Sequence, residues 1–379
     1  MNNEIVLKVN NKEYKDWKEV TVKKSITSLC GSFVFNAINK NPESIKKWDI
    51  HLGETCTVEV NKKVIITGYI EDLPMTYDHK EHTILVSGRD NTCDLVDCSF
   101  MGSSKEWKGQ SIKSIITKLC DYFNIKVHID ENVSSLGEHL ISSANALLTI
   151  FSVNEGDTAF EAIKKVCFTK ALLPVSYGDG NLTITRAGSN RCLDQLVLGK
   201  NILSAEINQS NRDRFSRYIV KGNGGEDFQL LDDYRSKREA IDQVVALSRK
   251  RPLVMLYEGG SSNQKCLDRA IWEARSRAAK SRTITYTVQG FSQVDGTVWP
   301  LNSLVTIDDS YFGISKEDML ISDIEYIYSK YYGTTTKLTI TNKEAYVLLE
   351  TPIKTLKFNF ELRKKDVNVP DSVIAVGGE

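Results

Sequence analysis

Two stretches of the chain share one strand–turn–strand pattern, and this repeat limits the possible folds more than any other feature of the sequence. Residues 66–90 (ITGYIEDLPMTYDHKEHTILVSGRD) align without a gap on residues 320–344 (LISDIEYIYSKYYGTTTKLTITNKE), which places Ile70 on Ile324. Apolar and polar residues alternate in both stretches, although few residues are identical. A repeat of this kind predicts two copies of one β unit within a single chain.

The first copy ends in a stretch that is crowded with reactive side chains, SGRDNTCDLVDCSF (87–100). Its charge pair Arg89–Asp90 aligns with Lys343–Glu344 of the second copy, whereas its cysteines have no counterpart there. Both copies keep a charge pair at the strand end, which a structural role would require. The second copy lacks the cysteines, which a catalytic role would require. The stretch is therefore predicted to be structural.

Short strands fill the first hundred residues. TCTVEV and VIITGYI are expected to form a hairpin that turns at Asn61–Lys63. Trp48 and Trp299 precede matching strands of the two copies at similar distances. Five β-branched or aromatic runs, separated by Gly, Asn, Asp and Pro, give this region its all-β signature: EIVLKV, GSFVFNAI, TCTVEV, VIITGYI and HTILVSG.

A different pattern runs from about residue 101 to 190. The apolar residues of QSIKSIITKLCDYFN recur at helical spacing, which predicts an amphipathic helix with Ser111 as its N-cap. GDTAFEAIKKVC predicts a second helix capped by Asp157, and LLPVSYGDGNLTIT predicts a hairpin that turns at Asp179–Gly180. This segment is expected to form a small α+β unit.

Strand patterns return near residue 200 and again after the longest predicted helix, NQKCLDRAIWEARSRAAKSR. The polar stretch GNGGEDFQLLDDYRSKREAIDQ before that helix is expected to be a loop. Besides Lys265, five basic residues crowd the helix and allow two interpretations, a polyanion site or a solvated face balanced by Asp268 and Glu273, of which the second is favoured: Arg269, Arg275, Arg277, Lys280 and Arg282.

The charge balance argues against a nucleic-acid-binding protein. The chain has 379 residues, with 49 Lys and Arg against 49 Asp and Glu, so its formal net charge is zero. Proteins that grip nucleic acid are usually basic, because phosphate neutralisation supplies much of their affinity. No apolar run approaches the roughly 18 residues that span a bilayer, and no secretory signal is evident. The sequence predicts a cytoplasmic origin without membrane insertion.

Eight cysteines are scattered along the chain without a CxxC pair, which predicts small buried hydrophobic residues in a reducing compartment. A catalytic Cys93–His82 pair is disfavoured, because His79 and His82 fall at a predicted hairpin tip. A zinc site at Cys93 and Cys98 lacks the four closely spaced ligands that zinc needs. KGNGGED lacks the residues of a phosphate loop. No catalytic, cofactor-binding or metal-binding residue is predicted, and the chain is not expected to be an enzyme.

Four segments together resemble a known family: YKDWKEVTVKKSITSLCGSFVF, GYIEDLPMTYDHKEHTILVSGRDNTCDLVDCS, LVLGKNILSAEINQSNRDRFSRYIVKGN and DGTVWPLNSLVTIDDS. In this order they resemble the baseplate hub protein of Mu-like contractile-tailed phages and prophages, the 43 kDa tail protein, which is itself similar to the T-even phage baseplate hub. The resemblance extends to about residue 350. The chain departs from the Mu type in its cysteines, in RSKREAIDQVVALSRKRP and in its last thirty residues.

The resemblance implies a ring-shaped homotrimer with two tail-tube-like β-barrel domains in each chain. Two copies per chain would give the trimer six similar units, which suits a ring between the sixfold tail tube and the threefold membrane-piercing spike. The implied partners are the tail spike protein, the tail tube and other baseplate proteins, and DNA would pass through the lumen without specific binding. The implied location is the virion tail baseplate, with the host cytoplasm during assembly.

The expected fold class is α+β, β-rich and multidomain. The two β units are expected to line the lumen, with the α+β unit outside as a brace and the basic helix turned elsewhere. The expected domains are a first tube-like β-barrel (1–100), a small α+β domain (101–200), a second tube-like β-barrel (201–222 with 283–350), a loop and helix associated with the α+β domain (223–282) and a C-terminal arm (351–379).

Two other functions remain open from the sequence. One is the hub of a defective prophage or of a phage-tail-like bacteriocin, which the sequence does not separate from a phage hub. The other is a cell-wall hydrolase or glycan-binding protein of the tail tip. NEGDTAFEAI contains the G-D-T found in LysM modules, and the same residues also suit a helix N-terminus.

Overall fold

The computed structural model describes residues 3–39, 49–77, 82–102, 104–130, 133, 147–168, 172–222, 237–257, 263–343 and 346. Strands dominate these residues: β1 (Ile5–Val9), β2 (Lys12–Tyr14), β3 (Glu19–Ser25), β4 (Ser32–Asn39), β5 (Thr55–Val60), β6 (Lys63–Asp72), β7 (Met75–Tyr77), β8 (His82–Asp90), β9 (Glu106–Ser111), β10 (Val127–Ile129), β11 (Leu147–Ser152), β12 (Leu173–Val175), β13 (Leu182–Thr185), β14 (Asn190–Arg191), β15 (Leu196–Val197), β16 (Ile202–Gln209), β17 (Arg217–Gly222), β18 (Lys237–Ile241), β19 (Pro252–Tyr257), β20 (Arg282–Gln289), β21 (Ser303–Asp309), β22 (Ile314–Ser329) and β23 (Gly333–Thr341).

The helices connect or cover these strands. They are α1 (Cys93–Asp97), α2 (Ile112–Asp121), α3 (Ala159–Phe168), α4 (Gln243–Ala246) and α5 (Asn263–Lys280), with a 3₁₀ turn at Ser310–Phe312. None of the helices in the described residues is long and apolar enough to cross a membrane.

One large antiparallel sheet forms the body of the protein. Its strands follow the order β16-β20-β23-β22-β3-β4-β8-β6-β5-β1-β2, and β21 pairs with β22 beside this path. Side chains in these strands alternate between core and solvent, as the period of two requires. In β3, for example, Val20 and Val22 are buried, whereas Glu19 is exposed. The inward side chains of both halves of the sheet belong to one hydrophobic core.

The predicted strand-rich α+β fold is confirmed, but the predicted pair of closed barrels does not appear. In the described part of the chain the main sheet runs from β16 to β2 without closing on itself. The physical reason lies in β22, whose sixteen residues bridge two sets of strands. Its first half pairs with β21 and its second half with β3, so the two halves of the molecule merge into one sheet.

The second core belongs to the predicted α+β unit. Helices α2 and α3 pack together, flanked by β9–β11 and by β10–β13–β12. The Ser111 side chain accepts a hydrogen bond from the Ser114 amide, which confirms Ser111 as the predicted N-cap. The Asp157 cap was wrong. Thr158 and Glu161 form a reciprocal capping box instead, since each side chain accepts the other residue's amide proton.

The third core lies where α5 packs on β17, β18 and β19. The segment expected to be a loop is partly structured, because β18 lies within it and α4 begins at its last residue, Gln243; residues 223–236 fall outside the described residues. A buried ion pair fixes this region: Arg214 Nε donates to Asp242 at 2.5 Å, and Asp242 also caps α4. Trp48, His79 and the predicted arm 351–379 lie outside the described part as well.

Candidate assembly surface

Two five-stranded parts of the main sheet have the same strand order. The first, called unit one, is β3-β4-β8-β6-β5, and the second, unit two, is β16-β20-β23-β22-β21. When the five strands of a unit are numbered by their order along the chain, they lie across the sheet in the order 1-2-5-4-3 in both units. All neighbouring strands are antiparallel. Each strand of one unit therefore has a counterpart in the other.

The two units meet at the junction of β3 with β22. Val22 lies opposite Tyr326, and both side chains are buried. The Tyr326 hydroxyl donates a hydrogen bond of 2.7 Å to the Trp299 carbonyl. On the opposite face of the sheet, Lys23 and Glu325 form an ion pair of 3.2 Å. This junction shows how the first strand of one unit pairs with the fourth strand of the other.

A buried lysine lies beside this junction. Lys24 Nζ donates a hydrogen bond of 3.1 Å to the Ile65 carbonyl. Burial lowers the pKa of Lys24 to about 8, and the negative charge of Asp90 opposes this shift only in part. Burial also raises the pKa of Asp90, although its carboxylate accepts hydrogen bonds from the Gly31 and Thr92 amides. The first unit thus holds two buried ionisable groups, Lys24 in its first strand and Asp90 at the end of its middle strand.

Strand β16 is one end of the main sheet, and β2 is the other. Among the described residues it pairs with β20 alone. Most of its residues are exposed, and Leu203 leaves 57% of its surface in solvent. Because β16 is the first strand of unit two, it occupies the place that β3 occupies in unit one.

The segment formed by the end of β6 and by β7 is a second open edge. The first part of β6 pairs with β5, and β7 pairs only with β8 in the part of the chain that the structure describes. All three residues of β7 are exposed, with Met75 at 58% and Tyr77 at 83%. Uncovered strand edges with exposed apolar side chains favour pairing with another strand.

The cysteine-containing stretch behaves as a structural corner. Arg89 holds Glu71 of β6 through two hydrogen bonds of 2.7 Å and Asp97 of α1 through another of 2.6 Å. These hydrogen bonds, first those of Glu71 and then those of Asp97, raise the pKa of Arg89. The guanidinium ties the last strand of unit one to the following helix, so a charged residue is needed there.

The Cys93 thiol near this corner is buried. Burial raises the pKa of Cys93 to about 12, which opposes the thiolate that a nucleophile requires. Cys98 is exposed at the end of α1, whereas His82 begins β8 opposite Tyr77. Across the described ranges, no group of three or more His, Cys, Asp or Glu side chains is placed to hold a metal ion.

Two basic side chains of α5 share one acidic partner. Glu273 is almost fully buried and pairs with Arg269 at 3.3 Å and with Arg277 at 2.8 Å. Together they line a groove of about 350 Å³, beside which Arg277 also donates to the Asp213 carbonyl. Arg275 is buried, so it does not belong to the solvated face expected from the sequence. The side chain of Asp268, the other expected counter-charge, lies outside the described residues.

Comparison with known proteins identifies the class of the chain. Residues 4–90 match the family described as Mu phage baseplate assembly protein GpP-like, N-terminal. Residues 92–186 match the second domain of the gp44-like baseplate hub proteins, and residues 262–349 match the fourth domain of the Mu phage baseplate assembly protein GpP. The chain belongs to the family of baseplate hub proteins of Mu-like phages and is a structural component of the tail baseplate.

Individual relatives agree with this assignment. The chain is 29% identical to the baseplate hub protein gp44 of Escherichia phage Mu over 354 residues, which cover 92% of this chain and 90% of the relative. The crystal structure of the 43 kDa tail protein of prophage MuSo2 from Shewanella oneidensis has a TM-score of 0.78 at 29% identity, covering 91% of this chain and all of that one. A tail protein from Neisseria meningitidis shares the fold, with a TM-score of 0.75 at 20% identity and coverages of 91% and 98%.

The sequence reasoning found the family, but it missed the edges at β16 and at β7. The sequence indicates only one of these two edges. Pro74 next to MTY marks an edge strand, yet nothing in ILSAEINQ distinguishes an edge strand from a central one. The ungapped repeat also misled, because the turns of its two hairpins, after Tyr77 and after Ser329, do not fall at the same aligned position.

Proposed function

We propose that three copies of this chain form the ring-shaped hub of the baseplate, joining the tail tube to the membrane-piercing spike. The observation that supports this most directly is the shared strand order of units one and two. A chain with two equivalent units gives a trimer with six similar units, which can meet sixfold partners on one side and threefold partners on the other. The shared order also supports a duplication of one ancestral β unit.

The domain division that we propose departs from the boundaries expected from the sequence, because β17 pairs with β18 and β19 and packs on α5 without joining the main sheet. Three separate hydrophobic cores support a division into a large sheet body, an α+β unit and a smaller unit around α5. In the ring, the large sheet forms the inner wall and the α+β unit braces it from outside. The partners are the spike, the tail tube and other baseplate proteins.

The ring serves as a passive conduit and has no enzymatic role. DNA passes through the lumen without specific binding, since the chain has no net charge and a strongly basic lumen would retain phosphates. The pairing of Arg269 and Arg277 with the buried Glu273 supports a structural role for the basic helix. The protein assembles in the host cytoplasm, is not inserted in a membrane, and ends in the virion.

Light scattering of the purified protein tests the trimer. The expected mass is three times the 42.7 kDa of one chain, over a wide concentration range. Monomers or hexamers alone would contradict the ring. A filter-binding series with linear DNA at physiological salt tests the conduit, and the expected result is no submicromolar affinity. Tight binding that Arg269→Ala and Arg277→Ala weaken would place the helix in the lumen.

A further inference from the structure

The irregular positions of β6 and β22 fix how the two units correspond. Strand β6 carries one extra residue, Ile65, opposite β5 and another, Glu71, opposite β8. Strand β22 breaks its register with β21 beside Lys316 and has the extra residue Ser322 opposite β23. The extra residues of β6 lie six positions apart, and in β22 Ser322 lies six positions after Lys316, the second of the two residues opposite Asp308. Bulges are specific features of a strand pair, so Glu71 corresponds to Ser322.

The residue before the second bulge begins a row that crosses each unit. In unit one this row runs across four neighbouring strands, from Ile70 of β6 through Gly88 of β8 and Phe33 of β4 to Val22 of β3. Because Val22 lies opposite Tyr326 of β22, the row then continues into unit two. All its side chains are buried, and the row therefore crosses the junction between the units without a break.

The equivalent row of unit two stops at the sheet edge. This row runs from Ile321 of β22 through Ile340 of β23 and Ile284 of β20 to Ile207 of β16. The first three side chains are fully buried, and Ile207 is only partly buried. No described strand follows Ile207. By the correspondence of the two bulges, the position equivalent to Tyr326 is Met75, which lies at the other open edge.

We propose that β16 of one copy pairs antiparallel with the edge formed by β7 and the end of β6 in the neighbouring copy, with Ile207 opposite Met75 of the neighbour. This interface rests on the trimer proposed above and names its strands and register. It repeats between chains the β3–β22 junction that is present within each chain. Each copy offers one strand of each kind, so the contact is head-to-tail, and three such contacts close the ring.

The backbone hydrogen bonds support this register independently. In antiparallel pairs, alternate residues direct their N–H and C=O groups to opposite neighbours. Ser210 donates its amide proton to Ser281, before β20, so Ile207 has the opposite parity and directs its backbone groups outward. Pro74 accepts from Leu85 of β8, so Met75 also points outward. The proposed register pairs two outward-facing residues, as a new ladder requires.

The side chains fit the same register. Pro74, which has no N–H, directs its nitrogen toward β8 and so removes no donor from the outer edge. The exposed Met75 would contact Ile207 of the neighbour and extend the buried row across the interface. On the opposite face Thr76 would meet Glu206, a pair without like charges.

Disulfide trapping tests the interface directly. Thr76 and Glu206 of the neighbour form a pair without mutual hydrogen bonds in this register, which places their β-carbons close enough for a disulfide. The variant with Thr76→Cys and Glu206→Cys, in a Cys98→Ser background, is oxidised and run on a non-reducing gel. We expect a covalent trimer that dithiothreitol reverses. Thr76→Cys with Asn208→Cys, shifted by two residues, is the matched control and should cross-link several-fold less.

Mixing the two single variants separates contacts between chains from contacts within one chain. Thr76→Cys protein mixed with Glu206→Cys protein should give covalent dimers, because each pair of chains shares one head-to-tail contact. Trimers in light scattering without any cross-link would overturn the strand pairing and leave the trimer intact. Monomers in light scattering would remove the trimer as well as the interface. A stronger cross-link from the shifted pair would overturn the register.

A charge on the open edge gives a second test that does not depend on cysteine chemistry. Met75→Lys adds a charge to a side chain that is 58% exposed, so the single chain should still fold. Met101→Lys changes a methionine that is 67% exposed and belongs to neither edge strand. We expect Met75→Lys to weaken trimer formation at least tenfold and Met101→Lys to leave it unchanged. Equal trimer affinity for both variants would contradict the proposal.

Discussion

Units one and two differ most at the strand edge that each presents. The junction of β3 with β22 is closed, and Tyr326 keeps only 2% of its surface in solvent. At the corresponding position of the open edge, Met75 keeps 58%. Two corresponding positions are thus buried in one case, at Tyr326, and exposed in the other, at Met75. The closed junction shows what burial contributes to such an edge, and the open one shows what an isolated chain leaves uncovered.

The largest expected effect separates these two positions. Tyr326→Ala should destabilise the protein by about 4 kcal/mol, because it opens a cavity and removes the donor to the Trp299 carbonyl. Met75→Ala should change the stability of the isolated chain by less than about 0.5 kcal/mol, since its side chain is largely in solvent. Urea denaturation of dilute protein measures both. Equal losses would mean that the edges do not differ as described.

The next effect compares the ion pairs of two regions. Asp242→Asn should destabilise the unit around α5 by about 3 kcal/mol, because Arg214 would keep an uncompensated charge in a buried place. Hydrogen exchange of β17 and β19 reports this loss locally. Arg217→Ala, which removes an exposed pair with Glu239 from the same sheet, is the control and should have little effect. Unchanged protection in Asp242→Asn would show that the pair is dispensable.

A smaller effect concerns the first strand of each unit, where Lys24 of β3 corresponds to Gln209 of β16. The pKa of Lys24 is about 8 in the folded protein and about 10.4 in the unfolded chain. The unfolded chain therefore binds more protons between these values, and stability from this group rises with pH. Against Lys24→Gln, the wild type should gain about 2 kcal/mol between pH 7.5 and pH 9.5.

Urea denaturation of the wild type and of Lys24→Gln at each pH gives the difference in their free energies of unfolding. Because both proteins have the same cysteines, the effect of cysteine ionisation cancels in this difference. Lys23→Gln, at the neighbouring position that is paired with Glu325 in solvent, is the control and should show no such rise. A constant difference between wild type and Lys24→Gln would mean that Lys24 is not desolvated.

The smallest effect is expected at the rim of the closed junction. The Lys23–Glu325 pair spans β3 and β22, but the Lys23 side chain is 60% exposed. Exposed pairs contribute between 0 and about 1 kcal/mol. A double-mutant cycle with Lys23→Ala and Glu325→Ala should give a coupling energy below about 1 kcal/mol. A larger coupling would show that charge, more than the buried row, holds the units together.

The sequence by itself determined the family and the type of most of the helices and strands, but not β18, which lies in a segment expected to be a loop. Prediction from the sequence was sufficient where the interacting residues are neighbours in the chain, as in the hydrogen bond from the Ser114 amide to the Ser111 side chain. The turn between β5 and β6 also followed from local residues, since Asn61 and Lys62 adopt the positive φ expected of a hairpin turn. The Asp157 cap failed because Thr158, one residue later, forms a box with Glu161, and both residues suit a helix N-terminus.

Only the tertiary structure decided which strand edges are covered and how the two units correspond. The ungapped alignment placed Ile70 on Ile324, whereas the bulges place Ile70 on Ile321. A bulge depends on the partner strand, and no local pattern shows where one strand leaves its first partner for another. The exposure of β16 was hidden for the same reason, since alternation shows which face of a strand is buried and does not show whether a neighbour covers its edge.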